Sequence, residues 1–156
     1  MSDYDTDFYQ WTQTQAAALR AKDVAALDLD NLAEEIESLG RSDRRAIVSH
    51  LERLLLHLLK WRNQPHGRGP SWRSTIRHAR REIAKLLAES PSLHYYPARQ
   101  VAAAYRHARK DAVDETGLPQ ATFPEACPWA PEQVLEADFG PRRRRRRTPH
   151  KGKGHP

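Results

Sequence analysis

Three groups of side chains have the composition and spacing that chemistry requires. The first is His57, Lys60, Trp61 and Gln64, which fall at the predicted end of a helix, with Trp72, Thr75 and Ile76 brought alongside by the turn that follows. Tyr105, on a later helix, is expected at the same level. There His57 could act as a general base near neutral pH and Lys60 could stabilise a phosphate or carboxylate. The plainer reading makes His57 and Tyr105 satisfied hydrogen-bonders, Lys60 a cation near a helix C-terminus and the tryptophans a seal over the loop. The second group is carboxylic: Glu34, Glu35 and Glu37, preceded by Asp28 and Asp30. Asp30, Glu34 and Glu37 share a helix face, and with His50 or His57 they could hold a hard divalent ion. Against a metal stand the lack of any Glu-x-x-His or His-x-x-x-His pair and the roughly 10 Å of helix between His50 and His57. No metal and no cofactor is therefore expected, and ion pairing with basic residues is the ordinary role for these acids. The third group is cationic: Arg73, Arg77, Arg80 and Arg81 on one helix, with Arg44, Arg45, Arg53, Arg62 and Arg68. They form either a face for phosphates or a network of ion pairs.

Charge is arranged in blocks along the 156 residues. Residues 1–40 carry 2 bases and 9 acids, residues 41–110 carry 16 and 4, and residues 111–140 carry 0 and 7. The remaining 8 bases, Arg142, Arg143, Arg144, Arg145, Arg146, Arg147, Lys151 and Lys153, have no acid among them. The net charge of +6 is thus set by residues 141–156, which cannot bury a core and are expected to be a disordered basic tail. Such a segment binds DNA, RNA or anionic membrane without sequence preference and with steep salt dependence. The alternatives are a solvated tail without a partner, or one that folds back on the acidic stretch from Asp111 to Asp138.

The elements that must position these groups are helical. Alanine and leucine dominate the apolar residues, and nowhere do apolar and polar residues alternate as a strand requires. A first helix over Asp5 to Ala21 places Phe8, Trp11, Gln15 and Leu19 near one face. Asp30 can cap a second run bearing Leu32, Ile36 and Leu39, and the apolar stripe resumes, rotated, at Ile47, Leu51, Leu54, Leu55 and Leu58. Between the two lies Gly40, which is either a kink in one long helix or a full break. Pro65, Gly67, Gly69 and Pro70 mark a loop. A helix with Trp72, Ile76, Ala79, Ile83, Leu86 and Leu87 on one face follows and stops at Ser90-Pro91. The last long helix carries Val101, Ala104, Tyr105, Ala108 and Ala112 and ends at Gly117. A proline-rich strap over Leu118 to Pro131 should plug Phe123, Cys127 and Trp129 onto the helices, with a short helix over Pro131 to Ala137. The expected fold is all-α, an up-and-down bundle of four to five helices over residues 1–140 followed by the tail.

Several motifs stand in an order that is specific. Asp7-Phe8-Tyr9-Gln10-Trp11-Thr12, Asn31-Leu32-Ala33-Glu34-Glu35-Ile36-Glu37-Ser38-Leu39-Gly40, His57-Leu58-Leu59-Lys60-Trp61, Ser71-Trp72, Ser90-Pro91-Ser92-Leu93, Glu115-Thr116-Gly117-Leu118 and Phe123-Pro124 with Cys127-Pro128 resemble the bacterial DUF29 family over about residues 4–139. The resemblance implies a compact helical domain with no established activity, and the arginine tail has no counterpart in it.

The single cysteine, Cys127, excludes an internal disulfide and is expected to pack rather than react, and a cytoplasmic location follows as the default. No stretch reaches the ~20 apolar residues of a membrane span. With no Gly-rich phosphate loop and no Gly-x-Ser-x-Gly elbow, the sequence favours a non-catalytic binding module whose tail adds nucleic-acid affinity. An enzyme acting on a phosphoester through the Glu34 or His57 group, or a structural or toxin–antitoxin-like protein that binds another protein, are the alternatives.

Overall fold

In the computed structural model, which describes residues 2–141, six α-helices and no strand occur among the described residues. They are α1 (Asp3–Thr6), α2 (Phe8–Ala21), α3 (Leu29–Asn63), α4 (Pro70–Glu89), α5 (Tyr96–Thr116) and α6 (Pro131–Leu135). The all-α class is as expected. The helix number exceeds the expected four to five because the first predicted helix is two, while the expected short helix near the C-terminus is present. By its internal contacts the chain falls into two units, residues up to Ala46 and residues from Ile47 on, and α3 contributes a half to each.

In the first unit the split between α1 and α2 comes from Asp7. Its carboxylate accepts the Gln10 amide hydrogen at 2.9 Å, and its backbone (φ −148°, ψ 82°) is not helical, so it caps α2 instead of continuing α1. Trp11, Gln15 and Ala18 form the buried face of α2, while Phe8 and Leu19 stay exposed. The Tyr4 ring meets the Trp11 ring edge-on at 4.9 Å, and the Phe8 ring stacks on it at 5.6 Å. Gln15 clamps the turn beyond α2 from both sides, donating to the Ala26 carbonyl (3.2 Å) and accepting from the Asp28 amide (2.7 Å). Asp28, not Asp30, immediately precedes α3. Its Oδ2 accepts from Trp11 Nε1 at 3.1 Å and from Asn31 Nδ2 at 2.8 Å.

Helix α3 runs through Gly40 without a break, because a glycine on an exposed helix surface costs only about 1 kcal/mol and the 35-residue helix has a long buried face to offset it. That face lies in the second unit. Ile47, Leu51, Leu54, Leu55, Leu58 and Leu59 pack with Ile76, Ala79 and Ile83 of α4, Val101, Ala104, Tyr105, Ala108 and Ala112 of α5, Phe123, and Val134 of α6. Each large apolar side chain buried here stabilises by about 1.5–3 kcal/mol. Lys60 lies over Trp72 and His50 faces His78, so α4 runs back along α3. Helix α5 stops where Gly117 takes the left-handed conformation (φ 67°), as a Cβ-free residue does at little cost. Beyond it, Phe123 is buried while Cys127 and Trp129 pack partly against the core. The Gln133 side chain accepts the Ala130 amide hydrogen at 3.0 Å and so starts α6.

Candidate functional site

The C-terminal turns of α3 bring His57 and Lys60 to one place, and the last turn of α5 supplies Glu115. Lys60 Nζ lies 2.9 Å from Glu115 Oε2 and 5.0 Å from the centre of the Trp72 ring. The ammonium is thus held by one carboxylate and one π face. His57 Nδ1 is 2.9 Å from the Arg53 carbonyl, the local i−4 partner in its own helix, and in the neutral ring that nitrogen donates. Burial lowers the His57 pKa, opposed by the Arg53 carbonyl and assisted by the charge of Lys60, so the ring is neutral at pH 7. His57 lines an open groove of about 360 Å³ with His50, Glu52, Arg53, Asp111 and Glu115. Ser49 borders the same groove but lies about 12 Å along α3 from His57, too far for a nucleophile and base to share a proton.

Tyr105 does not join this group. Its hydroxyl donates to the Pro124 carbonyl at 2.5 Å, burial raises its pKa, and the ionisable side chains that act on it are Cys127, Arg109 and Arg62. The phenol points to the segment after α5, where Phe123 enters the core. Trp61 takes up one cation of the loop and one of α4 instead, with the Arg68 and Arg73 guanidinium groups each 5.5 Å from its ring centre. Gly67 passes so close to Trp72 that a Cβ there would overlap the indole. These contacts close the turn between α3 and α4.

The carboxylates are dispersed by their partners. Glu35 accepts from the Tyr4 hydroxyl at 2.6 Å, a bond that pushes the Tyr4 pKa up to about 12. Glu34 and Glu37 both face Arg41 of their own helix, at 2.5 and 3.8 Å. The arginine thus comes from α3 itself. Among the described residues no group of three or more His, Cys, Asp or Glu side chains is placed to hold a metal ion.

The basic residues of α4 also separate. Arg77 and Arg81 are exposed, Arg73 stacks on Trp61, and Arg80 is buried, donating from Nε to the Val134 carbonyl at 3.0 Å and from Nη1 towards the Ala137 carbonyl at 3.4 Å. Arg80 is a tether for α6 and leaves the basic face. A second cationic surface lies on α5: Arg106, His107, Arg109 and Lys110 line a groove of about 270 Å³ with Gln120 and Glu125. In the sequence these cations are interleaved with the apolar periodicity of α5, which masks them as a group. Arg109 spends two of its donors on the Phe123 and Gln120 carbonyls, each at 3.2 Å. Cys127 donates its thiol to the Trp129 carbonyl at 3.4 Å and burial raises its pKa, the setting of a packing residue. The cationic segment Arg142 to Lys153 lies outside the described residues.

Among the described residues the protein is all-helical, and no helix is long and apolar enough to cross a membrane. Over residues 4–140 the chain matches the family described as Domain of unknown function DUF29, and it belongs to that family. No curated protein and no solved structure matches it.

Proposed function

We propose that this protein is a non-catalytic interaction module, with affinity for DNA or RNA supplied by Arg142 to Arg147, Lys151 and Lys153. The observation that supports a non-catalytic role is that the candidate acids and bases singled out in the sequence each have a partner within the fold. Glu35 is held by Tyr4, Glu34 and Glu37 by Arg41, His57 by the Arg53 carbonyl, Lys60 by Glu115 and Tyr105 by the Pro124 carbonyl. Polyanion affinity is supported by the sequence, where 8 bases stand without an acid in residues 141–156.

The test is a fluorescence-anisotropy titration of a mixed DNA and RNA set against the full chain and a chain ending at residue 140, at two salt concentrations. The full chain should bind with an affinity that falls steeply, log K against log salt approaching a slope of about −7 if all the cations meet phosphates, and the shortened chain should not bind. Binding that survives the truncation would overturn the assignment to the tail and move it to the folded body. Charge reversal at Arg106 and Lys110, or at Arg73, Arg77 and Arg81, would then locate it. No binding by either chain would end the polyanion reading.

A further inference from the structure

Leu29, Leu32, Ile36 and Leu39 follow one another along α3 at spacings of three, four and three residues, the spacing of a seam between two helices. In the structure this stripe is bare: Leu29 is 60 %, Ile36 67 % and Leu39 71 % exposed, and Leu32 is half-buried. Side-chain hydrogen bonds from α1 and α2 reach Glu35 and, just before α3, Asp28, about a quarter turn round the helix from Ile36 and about 40° from Leu39. A row of large apolar side chains on a helix of this polarity costs solubility unless something covers it.

We propose that the stripe docks against the same stripe of a second copy of this chain, with the two α3 segments antiparallel. The first argument is register. Spacings of three, four and three read the same in both directions, so antiparallel pairing sets Leu29 against the partner's Leu39 and Leu32 against the partner's Ile36, with no large residue left over. The second is shape. Ala33 and Gly40 flank the stripe on one side, and a Cβ added at Gly40 would meet nothing within 4 Å, which leaves room for close approach of another backbone. Asp43, the next residue in the seam, ends it. The third is charge. The segment opens with Asp28, Asp30, Glu34, Glu35 and Glu37 and closes with Arg41, Arg44 and Arg45 against the single acid Asp43. Parallel copies would align these blocks like with like, whereas antiparallel copies lay the basic end of each towards the acidic start of the other. This inference deepens the interaction-module reading and rests on it, but it owes nothing to residues 142–153.

Sedimentation equilibrium of the nuclease-treated full chain, in ~0.3 M salt and from ~1 to ~200 µM, should show a reversible monomer–dimer equilibrium. Ile36→Glu and, separately, Leu39→Glu should raise the dimer dissociation constant about 100-fold or more, with the circular dichroism of the dilute protein unchanged because both positions face water in the monomer. In a Cys127→Ser background, Leu29→Cys with Leu39→Cys should form an interchain disulfide on mild oxidation, and Leu29→Cys alone should not. A wild-type chain that stays monomeric throughout would overturn the proposal and leave the stripe for a helix of another protein. A dimer indifferent to both glutamates would place the interface elsewhere, and ready cross-linking of the single Leu29→Cys variant would overturn the antiparallel register. The outcome is separable from the tail experiment, since monomer and dimer alike carry the cationic segment.

Discussion

Tyr105 is 1 % exposed, and its hydroxyl must find an acceptor inside the protein; it takes the Pro124 carbonyl. Tyr105→Phe would remove the donor and leave that carbonyl unpaired beside the core. The expected cost is about 1–2 kcal/mol in urea unfolding, with no change in the slope of the transition. No loss would mean that water replaces the phenol and that the bond contributes little. His57 follows the same logic with a nearer partner. Its imidazole is satisfied by the carbonyl four residues back in its own helix, and with its pKa lowered by burial it stays uncharged in the groove at neutral pH. Single residues of this kind look alike in a sequence whether they are poised for proton transfer or already satisfied. The distinction lies in a side-chain rotamer and the carbonyl it reaches, and neither leaves a pattern in composition or spacing.

At the scale of elements, Gly40 tests how firmly α3 is specified. It sits on an exposed surface in mid-helix with open space around its missing Cβ. Gly40→Ala should therefore stabilise the dilute protein by about 0.5–1 kcal/mol, measured by urea unfolding at concentrations where the chain is monomeric. A destabilised variant would mean that the backbone at this position departs from a regular helix. The apolar periodicity of α4 and α5 was legible because both helices bury one continuous face, and their ends carry Ser90-Pro91 and Gly117-Leu118-Pro119 as stops. Less legible were the competitions between elements. Asp7 interrupts the first helix because capping α2 through the Gln10 amide outweighs one more turn of α1, and Asp28 takes the place expected of Asp30 because Trp11 and Asn31 both reach it. The grouping of Lys60 with Glu115 was beyond the sequence for another reason. The two residues stand 55 positions apart, and only the packing of α3 and α5 makes them neighbours.

Across the whole molecule the apolar burial is uneven, and the consequence is thermodynamic. The continuous core draws on residues from Ile47 to Val134, whereas the unit up to Ala46 buries Trp11, Gln15 and Ala18 and otherwise relies on hydrogen bonds around Asp28 and a ring cluster at its start. A unit held by few buried side chains opens at lower free energy than a packed helical core. Amides of α2 should accordingly show smaller protection factors in hydrogen exchange than those of residues 51–59 in α3 and 101–112 in α5. Acid should widen the gap. The Asn31 amide and the Trp11 indole hold the Asp28 carboxyl below its ordinary value of 3.8, against the opposing effect of burial. A carboxyl lowered in the folded state stabilises above that ordinary value, and the contribution is lost as pH falls through the lowered one. Exchange from α2, corrected for the intrinsic rate, should therefore accelerate relative to the core as pH falls below about 4. Equal protection in α2 and the core at every pH would show that the chain opens as one cooperative body, and that the few contacts around Trp11 and Asp28 are worth as much as the leucine core.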